Sequence, residues 1–198
     1  KSLQAVRHHA AIPYKTTPQT WQQLCDLSGF GPLCLRFTIL TCVRTAEARG
    51  AQWTEFDLDA KTWTIPAERM KVKRNSDGEE QPHTVPLSTQ ALEILATMRG
   101  HDPVFVVPGL KRGKPLGDST LLAVMRRTGL DATVHGFRSS FRDWAAEETM
   151  HDAMACELAL AHSVGSAVAR AYHRGNMLEK RRALMQDWAD FCGSDGTA

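Results

Sequence analysis

The spacing of apolar residues changes period twice along the chain, from helical to alternating and back to helical. Thr17-Pro18 predicts a helix start, with a capping hydroxyl and a proline at the first position, and the helix runs to about Leu27 before Gly29 and Gly31. A second helix is expected from Pro32 to Gly50. Leu33, Phe37 and Leu40 share one face while Leu35, Ile39 and Cys42 widen the apolar arc, which marks a central helix. Trp53–Phe56 and Thr62–Ile65 then alternate around a turn at 57–61, and His83–Leu87 supplies a third short strand. The polar, Gly-containing stretch between the second and third strands reads as a basic loop.

Helical spacing returns after Ser88, a cap for Thr89 to about Met98 with Leu92 and Leu95 inward. A short apolar segment (Val104–Val107), a Gly/Pro/Lys loop (Pro108–Pro115) and a helix from Ser119 to Arg127 follow. From His135 onward, Phe137, Phe141, Trp144 and Ala145 form a core stripe, and Asp152 caps a short helix to about Ala161. Gly165 and Ser166 open a small helix bearing Tyr172, and a charged last helix carries Leu184, Trp188 and Phe191. The predicted class is α+β, a mostly helical domain with a small three-stranded antiparallel sheet.

At 198 residues and 42% hydrophobic content the chain can build one domain with a full core, and no apolar run approaches the roughly 18 residues of a membrane span. The amino end lacks a secretory pattern, because Lys1, Arg7, His8 and His9 interrupt it. Five cysteines without CxxC spacing read as thiols of a reducing compartment, so a cytoplasmic location is expected. The net charge is only +2, but the basic residues are clumped: Arg69, Lys71, Lys73 and Arg74; Lys111, Arg112 and Lys114; Arg126 and Arg127; Lys180, Arg181 and Arg182. Clumps on one face can bind a polyanion, although any single one also reads as solvated surface.

The chemistry-bearing residues gather late in the chain. His135, Arg138 and Arg142 recur at helical spacing beside the core stripe, so they are expected to project together, off the core side. Such a basic cluster repels itself unless an anion sits among its members. His162 lies at the end of the Asp152 helix, where the helix dipole favours an imidazolium. Tyr172 is one of two tyrosines, and the other, Tyr14, has no basic cluster near it in sequence. Arg44 sits on the central helix with Glu47 a turn later, which reads either as a structural pair or as a guanidinium facing an anion. Taken singly, each of these residues has an ordinary structural reading.

Taken in order, Arg44, Lys71, His135-x-x-Arg138, His162 and Tyr172 resemble the catalytic domain of the tyrosine recombinase (phage integrase) family, in particular P4-type prophage and genomic-island integrases. The phrases LTCVRTAEARGAQW, IPAERMK, HTVPLS, VHGFRSSFRDWA, LAH and AYHRG carry the resemblance, together with LEKRRALMQDWADF. It covers about Pro32 to Cys192. The implied organisation is an entering linker and first helix at 1–31, the catalytic domain at 32–192 and a disordered tail at 193–198. The family's arm-binding and core-binding domains do not fit in the first 31 residues, so the chain resembles an isolated catalytic domain.

The resemblance implies cutting and rejoining of DNA through a covalent 3′-phosphotyrosine formed by Tyr172, which stores the bond energy. A phenol with a pKa near 10 is ionised only about once in a thousand at neutral pH, so it needs help. The family pattern assigns Arg44 and Arg138 to the non-bridging phosphate oxygens and His135 to proton relay for the tyrosine. It makes His162 a donor to the phosphate and Lys71 the acid for the leaving 5′-oxygen. Lys73, two residues on, is the alternative lysine. No cofactor or metal is implied. The implied partners are double-stranded DNA attachment sites, other integrase protomers in a tetramer on DNA, and accessory bending or directionality factors, with no membrane. The last helix looks fit to dock on a neighbouring protomer. Two other readings stay open: a type IB topoisomerase-like nicking and resealing enzyme, and a non-catalytic DNA-binding module of the same fold.

Overall fold

A computed structural model describes residues 12–70, 81–111, 113–130, 132–162 and 176–194. Helix α1 (Thr17–Cys25) leads into α2 (Phe30–Thr41), whose Cys34, Leu35, Phe37, Ile39 and Leu40 are all buried, as the broad apolar arc anticipates. Around α2 pack α1, α3 (Thr45–Arg49), α4 (Thr89–Met98), α5 (Thr120–Arg127) and the last helix, α8 (Leu178–Cys192). The hydroxyl expected to cap α1 from Thr17 makes no such bond, and the preceding Thr16 hydroxyl donates to the Pro13 carbonyl instead. Ile12 and Tyr14, just before α1, are buried, and the Tyr14 hydroxyl lies 2.9 Å from a Glu147 and 2.7 Å from a Glu148 carboxylate oxygen.

The central helix does not run to Gly50. It stops at Thr41, Cys42 turns left-handed (φ 54°), and Arg44 is extended as the N-cap of α3. The local chemistry explains the break. Thr38 and Thr41 donate back to the carbonyls of Cys34 and Phe37, both at 2.7 Å, which loosens the last turns. The Arg44 backbone N–H then finds the Glu47 carboxylate at 2.7 Å, so a new helix starts as soon as the old one ends. Apolar spacing survives such a break because the chain resumes on the same side of the core, so periodicity alone reads the two helices as one.

The sheet has the expected three antiparallel strands, β1 (Phe56–Asp57), β2 (Thr62–Ile65) and β3 (His83–Pro86), in that order, with Phe56 opposite Trp63 and Trp63 opposite Val85. Trp53–Glu55, expected as strand, is a 3₁₀ turn. The Glu55 carboxylate closes it, accepting from the Gln52 backbone at 3.3 Å and from the Trp63 indole at 2.8 Å.

Helix α6 (Gly136–Glu148) buries Phe137, Phe141, Trp144 and Ala145 as anticipated, and α7 (Ala153–Ala159) is capped by Asp152, which accepts from the Met154 N–H at 2.9 Å. Helix α8 is part of this chain's own core. Trp188 is fully buried, donates its indole N–H to the Ile39 carbonyl at 3.0 Å, and packs against Phe141, Trp144 and Phe191. Arg181 is also interior. Burial pulls its guanidinium down to about 10, and the carbonyls of Asn176 (2.8 Å) and Thr84 (2.7 Å) accept from it. No helix among the described residues is long and apolar enough to cross a membrane.

Candidate active site

Two helix ends create the site. Where α2 stops, the Cys42 carbonyl is left without a helical partner. Where α7 stops, Ala161 turns left-handed (φ 53°), its N–H bonds to Leu158 O at 3.0 Å, and the His162 N–H reaches back to Glu157 O at 2.9 Å. That pairing is a Schellman-type closure, and it leaves the Leu160 carbonyl free. Arg138, from the first turn of α6, fills the space between. One terminal nitrogen donates to the Cys42 carbonyl, and the other donates to Leu160 O at 2.6 Å and lies 3.3 Å from His162 Nε2. The guanidinium therefore sits at the negative ends of two helices, which offsets part of its desolvation.

Arg138 was expected off the core side, with His135 and Arg142. It is buried instead (5% exposed), because those two carbonyls and the nearby carboxylates draw it inward. Burial pulls its guanidinium below the ordinary range. The like charge of Arg44 adds to that effect, while the Glu47 and Glu157 carboxylates oppose it. Arg44 follows two residues after the Cys42 carbonyl that Arg138 holds, so both arginines belong to the end of α2. The Nε–H of Arg138 is buried with no partner among the described residues.

Arg44 forms the structural pair that its spacing from Glu47 suggests. Its side chain pairs with the buried Glu47 carboxylate at 3.0 Å, yet it remains partly exposed beside Arg138. Behind it, Arg69 donates to the Glu47 carbonyl at 2.6 Å and pairs with Glu55. Gly50 permits this approach, since a Cβ there would stand 3.1 Å from an Arg69 nitrogen. Arg69 thereby ties the segment that leads to Lys71 against α3. Lys71 itself, its alternative Lys73, and Tyr172 lie outside the described residues.

His162 is half-buried and its Nδ1 lies 2.8 Å from Glu157 Oε2. An arginine nitrogen can only donate, so the Nε2 facing Arg138 accepts, and Nδ1 carries the proton toward Glu157. Arg142 does not join a shared anion site with Arg138; its Nε pairs with the other Glu157 oxygen at 2.9 Å. His135 is exposed at the N-cap of α6, one turn ahead of Arg138. Three features escaped sequence reasoning: Glu157 and the carbonyls of Cys42 and Leu160. A carboxylate inside the apolar run CELALA was the one available signal for Glu157.

The basic clusters separate in a similar way. Arg69 and Arg181 point inward, Lys180 pairs with Asp152 at 3.0 Å and Arg182 with Glu179 at 3.4 Å. Lys111, Lys114, Arg126 and Arg127 are exposed.

The fold is that of a tyrosine recombinase catalytic domain. It superposes on the XerH site-specific recombinase, solved bound to a palindromic difH substrate as a post-cleavage complex, with a TM-score of 0.58 and 15% identity over 90% of this chain and 53% of that one. The Phage integrase family model matches residues 19–179, and the chain belongs to that family. It is 37% identical over 190 residues to the prophage integrase IntZ of Escherichia coli K12, covering 92% of this chain and 45% of IntZ. It is 32% identical over 206 residues to the integrase of Enterobacteria phage P4, covering 96% of this chain and 47% of that protein. The chain thus spans about half the length of the curated relatives it matches.

Proposed function

We propose that the chain is the catalytic domain of a site-specific DNA recombinase, cutting and rejoining duplex DNA through a 3′-phosphotyrosine during integration or excision of a mobile element. The observation that carries this reading is the convergence of Arg44, Arg138 and His162, which are far apart in sequence, at one place beside the ends of α2 and α7. In this reading the two guanidiniums bind the non-bridging oxygens of the scissile phosphate and stabilise the charge that grows on them in the pentacoordinate state. His162 donates through Nε2 to the same phosphate. His135 relays the proton from the Tyr172 hydroxyl as its oxygen attacks phosphorus, and Lys71 protonates the departing 5′-oxygen. The reaction takes place in the cytoplasm on double-stranded attachment sites, within a tetramer of protomers aided by accessory DNA-bending or directionality proteins. Kinship with prophage integrases supports this setting.

The test is a library of nicked suicide duplexes with a randomised core, 5′-labelled on the cleaved strand and run on a denaturing gel. A labelled protein–DNA band is expected from the chain and none from Tyr172→Phe. If the unmodified chain forms no band while still binding the duplexes, it is a DNA-binding module and not a nuclease. Joined products between two different duplexes distinguish recombination from nicking and resealing within one.

A further inference from the structure

We infer that Glu157 is a positioning residue that holds His162 ready to donate to the scissile phosphate, with Arg142 as the brace that holds Glu157. The inference rests on the recombinase reading above. Both oxygens of Glu157 are committed: Oε2 to His162 Nδ1 at 2.8 Å and Oε1 to Arg142 Nε at 2.9 Å. The same residue's backbone carbonyl accepts from the His162 N–H at 2.9 Å, so ring and main chain are fixed from one point. The left-handed turn at Ala161 makes this possible, because it folds His162 back over the last turn of α7.

The consequence is chemical. With Nδ1–H held on a carboxylate, Nε2 is the atom presented to the site, where Arg138 Nη2 stands 3.3 Å away. In the DNA-free protein Nε2 accepts from that nitrogen. A phosphate oxygen bound there draws the Arg138 N–H to itself and turns Nε2 into a donor position. For Nε2 to donate, the ring takes one proton from solvent, and the cation so formed keeps its Nδ1–H on Glu157. The Glu157 carboxylate is the acceptor that keeps Nδ1–H in place in either state. The charged groups facing His162 are Arg138 and Arg142 from α6 and Glu157 from α7, with Arg44 and Glu47 beyond Arg138. The arginines oppose the protonated ring, and Glu157 is the one counter-charge in direct contact with it among the described residues. Arg142, grouped by sequence with the phosphate-binding cations, is placed behind the carboxylate and not at the phosphate.

The test is single-turnover formation of the covalent adduct by the full 198-residue chain on the nicked suicide duplex library, measured from pH 6 to pH 8.5 for the unmodified chain, Glu157→Gln and Glu157→Asp. Glu157→Gln keeps the side-chain shape and a hydrogen bond but removes the charge. It is expected to slow adduct formation by about 10- to 100-fold at the alkaline end, the range for partners that orient a functional histidine. The deficit should shrink as the pH falls and solvent supplies the proton that the carboxylate no longer holds. Glu157→Asp should recover part of the alkaline rate. A deficit that is the same at every pH, or no deficit, overturns the inference while leaving the recombinase reading intact. Absence of any adduct from the unmodified chain overturns the reading on which the inference rests.

Discussion

Replacing Arg138 with lysine should weaken the fold itself, in the absence of DNA. The guanidinium spans two carbonyls that terminate different helices, Cys42 O and Leu160 O, from a position that is 5% exposed. A lysine ammonium is a point charge on a flexible stem and can serve only one of them. Losing one hydrogen bond to a charged group, with a buried carbonyl left unmet, costs about 1.5–3 kcal/mol. In a protein of this size each kcal/mol moves the melting temperature by about 2–4 °C, so Arg138→Lys should melt roughly 3–12 °C lower. The assay is calorimetric unfolding without DNA, backed by a guanidinium titration to check that the m-value is unchanged. A melting temperature within about 1 °C of the parent, or above it, would refute the reasoning. It would mean that the cost of burying this charge outweighs what the two helix ends return, and that Arg138 is held for chemistry alone.

Other changes probe other parts of the account. Trp188→Phe removes the indole donor to Ile39 O and should cost about 1–3 kcal/mol at every protein concentration; a cost that vanishes at high concentration would mean α8 docks between chains. Asp152→Asn keeps the cap on α7 but loses the pair with Lys180, whose hydrogen bond chiefly holds the Asp152 carboxyl below its usual range. Such a carboxylate stabilises above its unfolded value near 3.9 and stops doing so as the pH falls through its lower folded value. The parent should therefore melt higher than the variant at pH 6 by up to about 4 °C, from an exposed pair worth about 0.2–1 kcal/mol, and the gap should close below about pH 4. A gap that widens in acid would contradict the assignment. Changing Lys111 and Lys114 together to alanine should lower the slope of log affinity against log salt by about 1–2, as expected for one or two lost phosphate contacts. An unchanged slope would remove that loop from the DNA surface.

Much of the architecture was legible because burial imposes a period on the chain. The α6 stripe, the three strands and the breadth of the α2 face all follow from which residues must avoid water. What periodicity could not show was where the backbone turns within an apolar run. The left-handed Cys42 interrupts α2 without interrupting its apolar pattern, and that turn both frees a carbonyl for Arg138 and puts Arg44 at a helix start. Arg138, His162 and Arg44 were readable as a set because their residue types and order match a family. Their mutual arrangement was not, since it depends on main-chain carbonyls and on Glu157, which carry no motif. Glu157 sits five residues before His162, off the face a helical wheel would assign it, and meets the ring only because the chain reverses at Ala161. Helix α8 hides its role for a related reason. Its charges read as surface, but Arg181 is buried against carbonyls and Trp188 lies at the centre of the aromatic core.

The most direct measurement is a crystal structure of the chain soaked with tungstate, a phosphate-like oxyanion with strong anomalous scattering. The account expects one ordered ion contacted by the guanidiniums of Arg44 and Arg138 together, with His162 Nε2 turned toward it and Glu157 still on Nδ1. An ion gripped by only one of the two arginines, or found only at the exposed lysines of the Pro108–Pro115 loop, would contradict it.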